Sequence, residues 1–290
     1  MKPIRKAVIP AAGFGTRFLP ASKAVPKEML PIVDKPVIQF VVEEAVQSGI
    51  TDIIIVINRS KRAIEEHFHP YPELEDQLRA KSRNAEADSL EKLHKMANIH
   101  YVWQPAMRGL GDAVLCARDH TGNESFALLL GDTIVASSDP ARPVTRQLAE
   151  IHGQTSGCVV AVEEVAPEKV SQYGVIGGSE TEPGLWAVGK LVEKPSLAEA
   201  PSRLAISSRY IFTPEIYAAL DKTPPGKGGE IQLTDAMAML LGEVPFHALK
   251  FAGKRHDIGN KLEFLKTNVL YGLAREDIGG AFLEFLKGLV

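Results

Sequence analysis

The stretch VIPAAGFGTRFLPASKAVPKEMLPIVDKPVIQ, from Val8 to Gln39, decides how the rest of the chain is interpreted. It overlaps a short apolar run, Lys6 to Pro10, that predicts a buried strand. Two alanines and the glycines Gly13 and Gly15 come next, and small residues let backbone N–H groups approach a ligand closely. The stretch therefore predicts a strand that opens into a tight, phosphate-accepting loop.

Glycines after a first strand also suggest a dinucleotide-binding fingerprint, but two features argue against it. That fingerprint needs a helix to start at the loop, and Pro20, Pro26 and Pro31 forbid a continuous helix here. It also needs an acidic residue at the end of the second strand, whereas the predicted strand Asp52 to Ile57 ends in Asn58. A dehydrogenase is therefore not predicted.

The long irregular loop that remains carries several charged side chains: Arg17, Lys23, Lys27, Glu28 and Lys35. A loop of this length is uncommon unless it has a function. Its cations suit a polyphosphate, with arginine as a rigid fork and lysine as a point charge. The alternative is a solvated, proline-rich loop with ordinary surface charges, and the adjacent glycines favour phosphate binding over it.

The composition is that of an ordinary globular protein of one or two domains, with 290 residues, 45% of them hydrophobic and 24% charged. The formal net charge of -3 gives no support to nucleic-acid or membrane-surface binding. Cys116 and Cys158 lack the spacing of a disulfide framework or a zinc site, so both are expected to be small buried side chains. Since neither a membrane span nor an apolar signal region is evident, the predicted location is cytoplasmic.

Regular elements follow the opening loop in the order expected of a parallel sheet. A helix is predicted from Pro36 to Gly49, and the continuous β-branched run Asp52 to Ile57 is typical of a strand covered on both faces. The charged stretch from Lys61 to Lys95 reads as peripheral helical structure. Strand, loop, helix and strand together predict an α/β fold.

A second glycine-containing loop follows the predicted strand Ile99 to Trp103. Gln104 ends this strand and offers both a donor and an acceptor to the edge of a base, which suits a pyrimidine. Gly109 and Gly111 permit close backbone approach, and a helix is predicted from about Asp112. Taken alone, the same residues also fit a helix-start loop with a capping glycine.

Two aspartates are candidate metal ligands. Asp132 follows the predicted strand Phe126 to Leu130, at the edge where ligands of open α/β sheets collect, and Mg²⁺ prefers one or two carboxylates plus substrate phosphates. A lone aspartate there fits a turn equally well. Asp257 is expected in a loop before a helix with apolar spacing from Leu262 to Leu270, where it would by itself cap that helix.

The later part of the chain alternates less regularly. It predicts a strand from Cys158 to Val165, a strand and turn from Tyr173 to Gly178, an alternating segment from Leu185 to Pro195, a helix after Pro214, a helix within GEIQLTDAMAMLL, and an amphipathic tail from Glu276 to Val290. The tail would pack on its own domain or on another subunit.

The string AAGFGTRFLPASKAVPKEMLPIVDKPVIQ resembles the signature of nucleotide-sugar pyrophosphorylases, and further matches extend over nearly the whole chain. The resemblance implies an α/β, three-layer Rossmann-like fold with a mainly parallel central sheet. It implies one domain over residues 1–290, with a nucleotide-binding half at about 1–135, a sugar-binding half at about 136–260 and C-terminal helices at about 261–290. The spacing from GTR to DKP favours members that transfer a uridylyl group.

The resemblance also implies a role for each matching residue. Arg17, Lys27 and Lys194 would be catalytic, Asp132 and Asp257 would hold Mg²⁺, and the substrates UTP and glucose 1-phosphate would be bound by Ala12, Gly13, Gly15, Glu28, Gln104, Gly109, Gly174 and Glu193. A lysine neutralises a phosphate and a carboxylate accepts from sugar hydroxyls, so these roles are chemically reasonable. The resemblance further implies a homodimer or homotetramer.

Three alternatives stay open at this point. A thymidylyl- or cytidylyltransferase would share the fold and the metal site. A non-catalytic regulatory homologue would have lost parts of the G-x-G-T-R loop, which is intact here, and a sugar-binding module would not explain the polyphosphate loop. The sequence departs from the commonest pattern at Ser22, where threonine is usual, and at Asp112, where histidine is frequent.

Overall fold

The predicted first strand lies inside a nine-stranded sheet. The structure is a computed structural model, and it describes residues 3–289 apart from the side chain of residue 227. The strands are β1 (Lys6–Pro10), β2 (Pro31–Ile32), β3 (Lys35–Pro36), β4 (Asp52–Ile57), β5 (Asn98–Trp103), β6 (Phe126–Leu129), β7 (Thr133–Ser137), β8 (Cys158–Glu164), β9 (Gly174–Glu182), β10 (Leu185–Glu193), β11 (Leu204–Phe212), β12 (Phe246–Lys250) and β13 (Gly253–Asp257). The α-helices are α1 (Val37–Gln47), α2 (Arg62–Phe68), α3 (Pro72–Ala80), α4 (Asn84–Lys95), α5 (Leu110–Leu115), α6 (Arg118–Thr121), α7 (Val144–Thr155), α8 (Glu215–Lys222), α9 (Leu233–Leu240), α10 (Lys261–Leu273) and α11 (Gly279–Lys287).

The sheet is mainly parallel, as predicted. Its order is β5-β4-β1-β6-β11-β8-β12-β10-β9, and the first four strands are parallel to one another. Strand β11 is antiparallel to both β6 and β8, β12 is parallel to β8, and β10 is antiparallel to both β12 and β9. Only β10 and β11 therefore oppose the common direction of the other seven strands.

Apolar side chains leave both faces of the sheet, which makes the fold three-layered. Along β1, Val8 joins a core with residues of α5, α8 and α9, whereas Ala7 and Ile9 join a core with residues of α1, α2 and α7. Because both faces are covered, β4 carries apolar residues at successive positions instead of alternating them with polar ones. The α/β class, the strand Asp52–Ile57 and the peripheral helices of residues 61–95 are confirmed.

The opening loop contains three 3-10 turns, Thr16–Phe18, Ala21–Lys23 and Lys27–Met29, before α1 begins directly after Pro36. The prolines thus prevent a helix from starting at the glycines, as expected. Helix α5 begins at Leu110, two residues before the predicted start at Asp112.

Two expectations for the second half are wrong. The strand expected to turn near Gly178 continues to Glu182, because β9 forms a long hairpin with β10. Asp257 does not lie in a loop but ends β13, and it does not cap the following helix. The cap of α10 is Asn260, whose side chain accepts hydrogen bonds from the N–H groups of Leu262 and Glu263.

The chain ends in the predicted amphipathic helix, α11. Phe282 packs against Gly272 of α10, while Phe285 and Leu289 are 61% and 66% exposed. The last residue of the predicted tail, Val290, lies outside the described residues. Over residues 3–289, none of the helices has the length and apolar character needed to cross a membrane.

Candidate active site

The predicted phosphate-accepting loop is fixed to the neighbouring strand at the carboxyl end of β1. Asn58 follows β4, is buried, and donates a hydrogen bond from Nδ2 to the carbonyl oxygen of Ala12. Its Oδ1 accepts from the N–H of Ser60 at 2.8 Å, so both ends of the amide are engaged. Sequence reasoning used Asn58 only to exclude a ribose-binding acid, yet an amide beside a phosphate loop is a suitable anchor for it.

Lys27 lies under the two glycines of this loop. Gly15 has φ +66°, and a methyl group added there would lie 3.1 Å from Lys27 Cβ, so both the backbone and the space favour glycine. A methyl group on Gly13 would lie 3.7 Å from Lys27 Nζ. The absence of side chains at these two positions therefore leaves the lysine free to meet a ligand above the loop.

Lys27 and Asp132 form an ion pair, with 2.5 Å between Nζ and Oδ2. Burial alone would lower the pKa of Lys27, but the neighbouring carboxylates of Asp132 and Glu28 outweigh it and raise that pKa above its ordinary value. Burial would likewise raise the pKa of Asp132, but the charge and hydrogen bond of Lys27 hold it below its ordinary value. Both groups are therefore charged at neutral pH.

Glu28 is held from behind by a second cation. Its carboxylate is 1% exposed and lies 2.8 Å from Nζ of Lys61, which is itself 2% exposed. Burial raises the pKa of Glu28, although Lys61 and Lys27 oppose the shift. Lys61 was not singled out in the sequence, because a lysine in a charged stretch is normally solvated.

Asp132, Asp257 and Arg17 converge on Gly259. A methyl group added at Gly259 would lie 3.0 Å from Asp257 Oδ1, 3.4 Å from Arg17 Nη1 and 3.8 Å from Asp132 Oδ2. The antiparallel pairing of β7 with β13 places Thr133 opposite Asp257, which brings the two aspartates to one point from distant parts of the chain. The two predicted metal ligands are thus neighbours.

These two carboxylates suit a Mg²⁺ ion better than they suit a metal ion that takes all of its ligands from the protein. Within residues 3–289, no group of three or more His, Cys, Asp or Glu side chains is arranged to hold a metal ion. Mg²⁺ keeps most of its ligands as water and substrate phosphate and needs only one or two carboxylates from the protein. A pair of aspartates facing a cationic phosphate loop meets that requirement.

A cavity of about 320 Å³ lies between the phosphate loop and the second glycine loop. Seven of the predicted site residues line it: Ala12, Gly13, Lys27, Glu28, Gln104, Gly109 and Asp132. Gln104 follows β5 and is only 4% exposed. The cavity therefore places a candidate base-reading amide, a cation and a carboxylate around one space.

Backbone hydrogen bonds clamp the second glycine loop in place. The N–H of Ile231 donates to the carbonyl of Arg108 at 2.7 Å, and the N–H of Gly111 donates to the carbonyl of Ile231 at 2.9 Å. Gly109 has φ +99°, and a methyl group there would lie 2.7 Å from Glu230 Cβ. Only glycine fits between these segments, and it is also the residue before the first turn of α5.

Gly174 and Glu193 come together where β9 pairs with β10. Thr234 donates a hydrogen bond from Oγ1 to Glu193 Oε2 at 2.6 Å. A methyl group on Gly174 would lie 2.9 Å from Thr234 Oγ1 and 3.2 Å from Glu193 Oε2, so the glycine leaves this carboxylate accessible. Sequence reasoning did not identify Thr234 as a site residue. The sequence at the start of a helix does not show which distant carboxylate a threonine hydroxyl will contact.

Lys194 has φ +45°, an uncommon backbone conformation for a residue other than glycine. Its Nζ lies 3.0 Å from Glu193 Oε1 and its N–H donates to the carbonyl of Tyr173. Together with Arg17 and Asp257 it lines a second cavity of about 1020 Å³. Strained residues cluster at ligand sites, which agrees with a lysine aimed at a substrate.

Residues 6–272 match the sequence profile of the nucleotidyl transferases. The chain belongs to the nucleotidyl transferase family. The UTP–glucose-1-phosphate uridylyltransferase of Bacillus subtilis (strain 168) is 47% identical over 290 residues, which cover 100% of this chain and 98% of that relative. Solved structures of related proteins also align with this nucleotidyl transferase along nearly its full length.

A UTP-bound UGPase from Acinetobacter baumannii aligns with a TM-score of 0.92 at 38% identity, covering 99% of this chain and 100% of that one. A UDP-glucose pyrophosphorylase complexed with UDP-glucose aligns with a TM-score of 0.85 at 41% identity, covering 94% of this chain and 100% of that one. The nucleotidyl transferase fold implied by the opening motif is therefore confirmed, and the chain is an enzyme of this family.

Proposed function

We propose that this nucleotidyl transferase moves the uridylyl group of UTP to glucose 1-phosphate and releases UDP-glucose and pyrophosphate. The observation that carries the proposal is the convergence of Arg17, Asp132 and Asp257 on Gly259, beside Lys27 and the base cavity. Full-length relatives with the name UTP–glucose-1-phosphate uridylyltransferase support the same reaction.

The nucleophile in this reaction needs no general base. A phosphate monoester has a second pKa near 6, so an oxygen of glucose 1-phosphate is already anionic at neutral pH. That oxygen attacks the α-phosphorus of UTP in line, the bond from the α-phosphorus to its bridging oxygen breaks, and pyrophosphate leaves with the electron pair. Catalysis then depends on positioning and on neutralising charge.

The cations of the site divide this task. Lys27 exchanges its partner Asp132 for the α-phosphoryl oxygens when UTP enters above Gly13 and Gly15. Arg17 acts on the departing pyrophosphate as a planar fork, and Lys194 orients the attacking phosphate. Asp132 and Asp257 would hold Mg²⁺, which would supply positive charge to neutralise the phosphate oxygens of the substrates.

The remaining predicted residues bind the two ends of the product. Gln104 and Gly109 read the base edge in the cavity, with Ala12 and Glu28 in its wall. Gly174 and Glu193 receive the hexose, whose hydroxyls donate to the carboxylate. The homodimeric or homotetrameric state and the cytoplasmic location remain predictions from the sequence and its resemblance.

The test is pyrophosphate release with Mg²⁺ and glucose 1-phosphate, run in parallel with UTP, dTTP, CTP, ATP and GTP. Fast turnover with UTP alone supports the uridylyl assignment. A preference for dTTP or CTP would retain the mechanism and replace the base. If the folded protein releases no pyrophosphate with any of these nucleotides, the non-catalytic homologue is favoured instead.

The metal assignment has its own test. Replacing Asp132 with asparagine removes one preorganised electrostatic contact, and we expect turnover to fall at least about a hundredfold. The measurement is Mg²⁺-dependent pyrophosphate release by Asp132→Asn, with Asp119→Asn as the control, since Asp119 is exposed and lies outside both cavities. Near-normal turnover of Asp132→Asn would show that this aspartate is not a metal ligand.

A further inference from the structure

We propose that Asp112 makes this enzyme prefer uracil over cytosine, by fixing the orientation of the Gln104 amide so that its oxygen faces the base. The inference rests on the proposed function and adds a specificity-determining residue to it. Asp112 lies in the first turn of α5, eight residues after Gln104 in the sequence.

Both amide hydrogens of Gln104 are directed away from the base position. Nε2 donates to Asp112 Oδ2 at 2.8 Å and to the carbonyl oxygen of Gly109 at 3.2 Å. A carboxylate and a carbonyl only accept hydrogen bonds, so the nitrogen of the amide must face them. Turning the amide over would place its oxygen against these two acceptors and lose both hydrogen bonds.

Asp112 is itself rigidly held. It is 2% exposed in the first turn of α5, and Oδ1 accepts two hydrogen bonds from Arg108, from Nε at 3.0 Å and from Nη2 at 2.7 Å. The segment that carries Arg108 and Gly111 is bonded on both sides to Ile231. Oδ2 is therefore left in one position, directed at Gln104.

The oxygen of Gln104 is the atom left for a ligand. Over residues 3–289, the structure gives Oε1 no hydrogen-bond partner, although the residue is almost fully buried in the wall of the 320 Å³ cavity. Among the described residues, Oε1 is not one of the side-chain atoms sealed from solvent without a partner, so a base that displaces water from it must donate a hydrogen bond in its place or leave it unpaired at a cost. The base that enters this cavity therefore presents an N–H group to Oε1, and the proposal places N3 of the pyrimidine opposite that oxygen.

Uracil and cytosine differ at the atom concerned. Uracil carries a hydrogen on N3, whereas N3 of cytosine carries a lone pair, so a fixed acceptor attracts the first and repels the second. Thymine shares the N–H of uracil, and Asp112 accordingly does not separate UTP from dTTP. The preference for uracil over cytosine should be strong. The wrong base would leave the Gln104 oxygen unpaired in the complex, and this costs more than the loss of one favourable contact.

The experiment compares kcat/KM for UTP and for CTP in the wild type, Asp112→Asn and Asp119→Asn. Asparagine can turn its NH₂ toward Gln104 and so permit the flipped amide, which donates to N3 of cytosine. We expect the ratio of UTP to CTP to fall at least about tenfold in Asp112→Asn, in the range of one well-placed base contact. The matched control Asp119→Asn makes the same chemical change on an exposed residue and should keep the wild-type ratio.

An equal loss for UTP and CTP in a folded Asp112→Asn enzyme would overturn the inference, because a merely structural role changes both rates alike. If Asp112→Asn does not fold, Asp112→Ser makes the same comparison, since a hydroxyl can also donate to a flipped amide. A further measurement uses the wild type with N3-methyl-UTP, which lacks the N–H and should lose at least about a hundredfold in kcat/KM. Wild-type use of N3-methyl-UTP at the rate of UTP would contradict the inference, whereas wild-type silence with UTP itself would contradict the proposed function instead.

Discussion

The ion pair between Lys27 and Asp132 joins two residues that the proposed reaction needs separately. Each half-buried group lacks full hydration, and each compensates the other until substrate and metal arrive. Their pKa values are displaced in opposite directions, with Lys27 raised and Asp132 lowered. The ion pair therefore lets Lys27 and Asp132 both stay charged in the ligand-free protein. Each group can exchange its partner when substrate and metal bind.

The pH dependence of stability follows from these directions. The contribution of Asp132 is present above its unfolded pKa of about 4 and is lost as pH falls through the lower folded value. That of Lys27 is present below about 10.4 and is lost as pH rises through the higher folded value. We expect Lys27→Met to be destabilised by a constant amount between about pH 5 and 9, and by progressively less as the pH falls from about 4 through the lowered folded pKa of Asp132.

Urea unfolding of the wild type and of Lys27→Met across this pH range measures the difference. Lys23→Met serves as the control, because Lys23 is exposed in the same loop and its removal should leave the free energy of unfolding nearly unchanged. A destabilisation of Lys27→Met that grows on acidification would contradict the pairing.

Single-residue roles were predictable where a motif fixes them and unpredictable where a partner is distant. Gly13 and Lys27 were identified from the local pattern and Asp132 with the help of the family resemblance, and the structure brings these three residues to one cavity. The anchors Asn58 and Lys61 were not, because each acts on a residue of the opening loop across a gap in the sequence. Local pattern contains no information on such contacts.

At the scale of elements, a buried ion pair joins four of them. Arg209 of β11 is 0% exposed, and its Nη2 donates to Glu44 Oε2 of α1 at 2.7 Å and to the carbonyl oxygen of Thr133 in β7 at 2.9 Å. Glu44 Oε1 accepts from the hydroxyl of Thr145 in α7 at 2.7 Å. The network holds the start of β7, directly after Asp132.

Removing one partner of the buried pair between Arg209 and Glu44 should lower the free energy of unfolding much more than removing one partner of an exposed pair. Arg209→Met leaves Glu44 buried without its partner, and we expect a loss of about 3–5 kcal/mol in the free energy of unfolding. The control is Arg203→Met, which breaks an exposed pair with Glu164 and should cost at most about 1 kcal/mol. Urea unfolding of both variants makes the comparison, and equal losses would contradict the role given to burial.

Element boundaries were predicted well where the sequence punctuates them. Proline and glycine mark both ends of α1, and the continuous β-branched run gives β4 its bounds. Asp257 was placed in a loop because KRHDIG has no apolar alternation, and only its pairing with β7 makes that segment a strand. Asn260, not Asp257, then occupies the capping position.

At the scale of the whole molecule, the predicted halves share one continuous sheet. Ile231 from the second half clamps the second glycine loop of the first, and β13 from the second half carries Asp257 to Asp132. The mainly parallel sheet was predictable from alternating strands and helices. The antiparallel insertions of β10 and β11 were not, because strand order depends on contacts between distant segments.

Ligand-induced stabilisation tests this joint construction. A ligand at a hundred times its Kd adds about 2.7 kcal/mol, and we expect UTP with Mg²⁺ to raise Tm by about 5–10 °C. In Asp257→Asn the increment that depends on Mg²⁺ should disappear, while the shift with UTP alone remains, because the base cavity does not include Asp257. Differential scanning fluorimetry measures both, and a full Mg²⁺ increment in Asp257→Asn would argue against the second metal ligand.

Gly259 leaves the space between the carboxylates of Asp132 and Asp257 free of a side chain. A single-base change from glycine to alanine would insert a methyl group 3.0 Å from Asp257 Oδ1 and 3.8 Å from Asp132 Oδ2, in the space between the two carboxylates. Gly259 does not line the 320 Å³ cavity, so the added methyl group would act on the metal side of the proposed site. We expect Gly259→Ala to weaken Mg²⁺ binding more than nucleotide binding, so position 259 is where a non-catalytic descendant of this enzyme should first be sought.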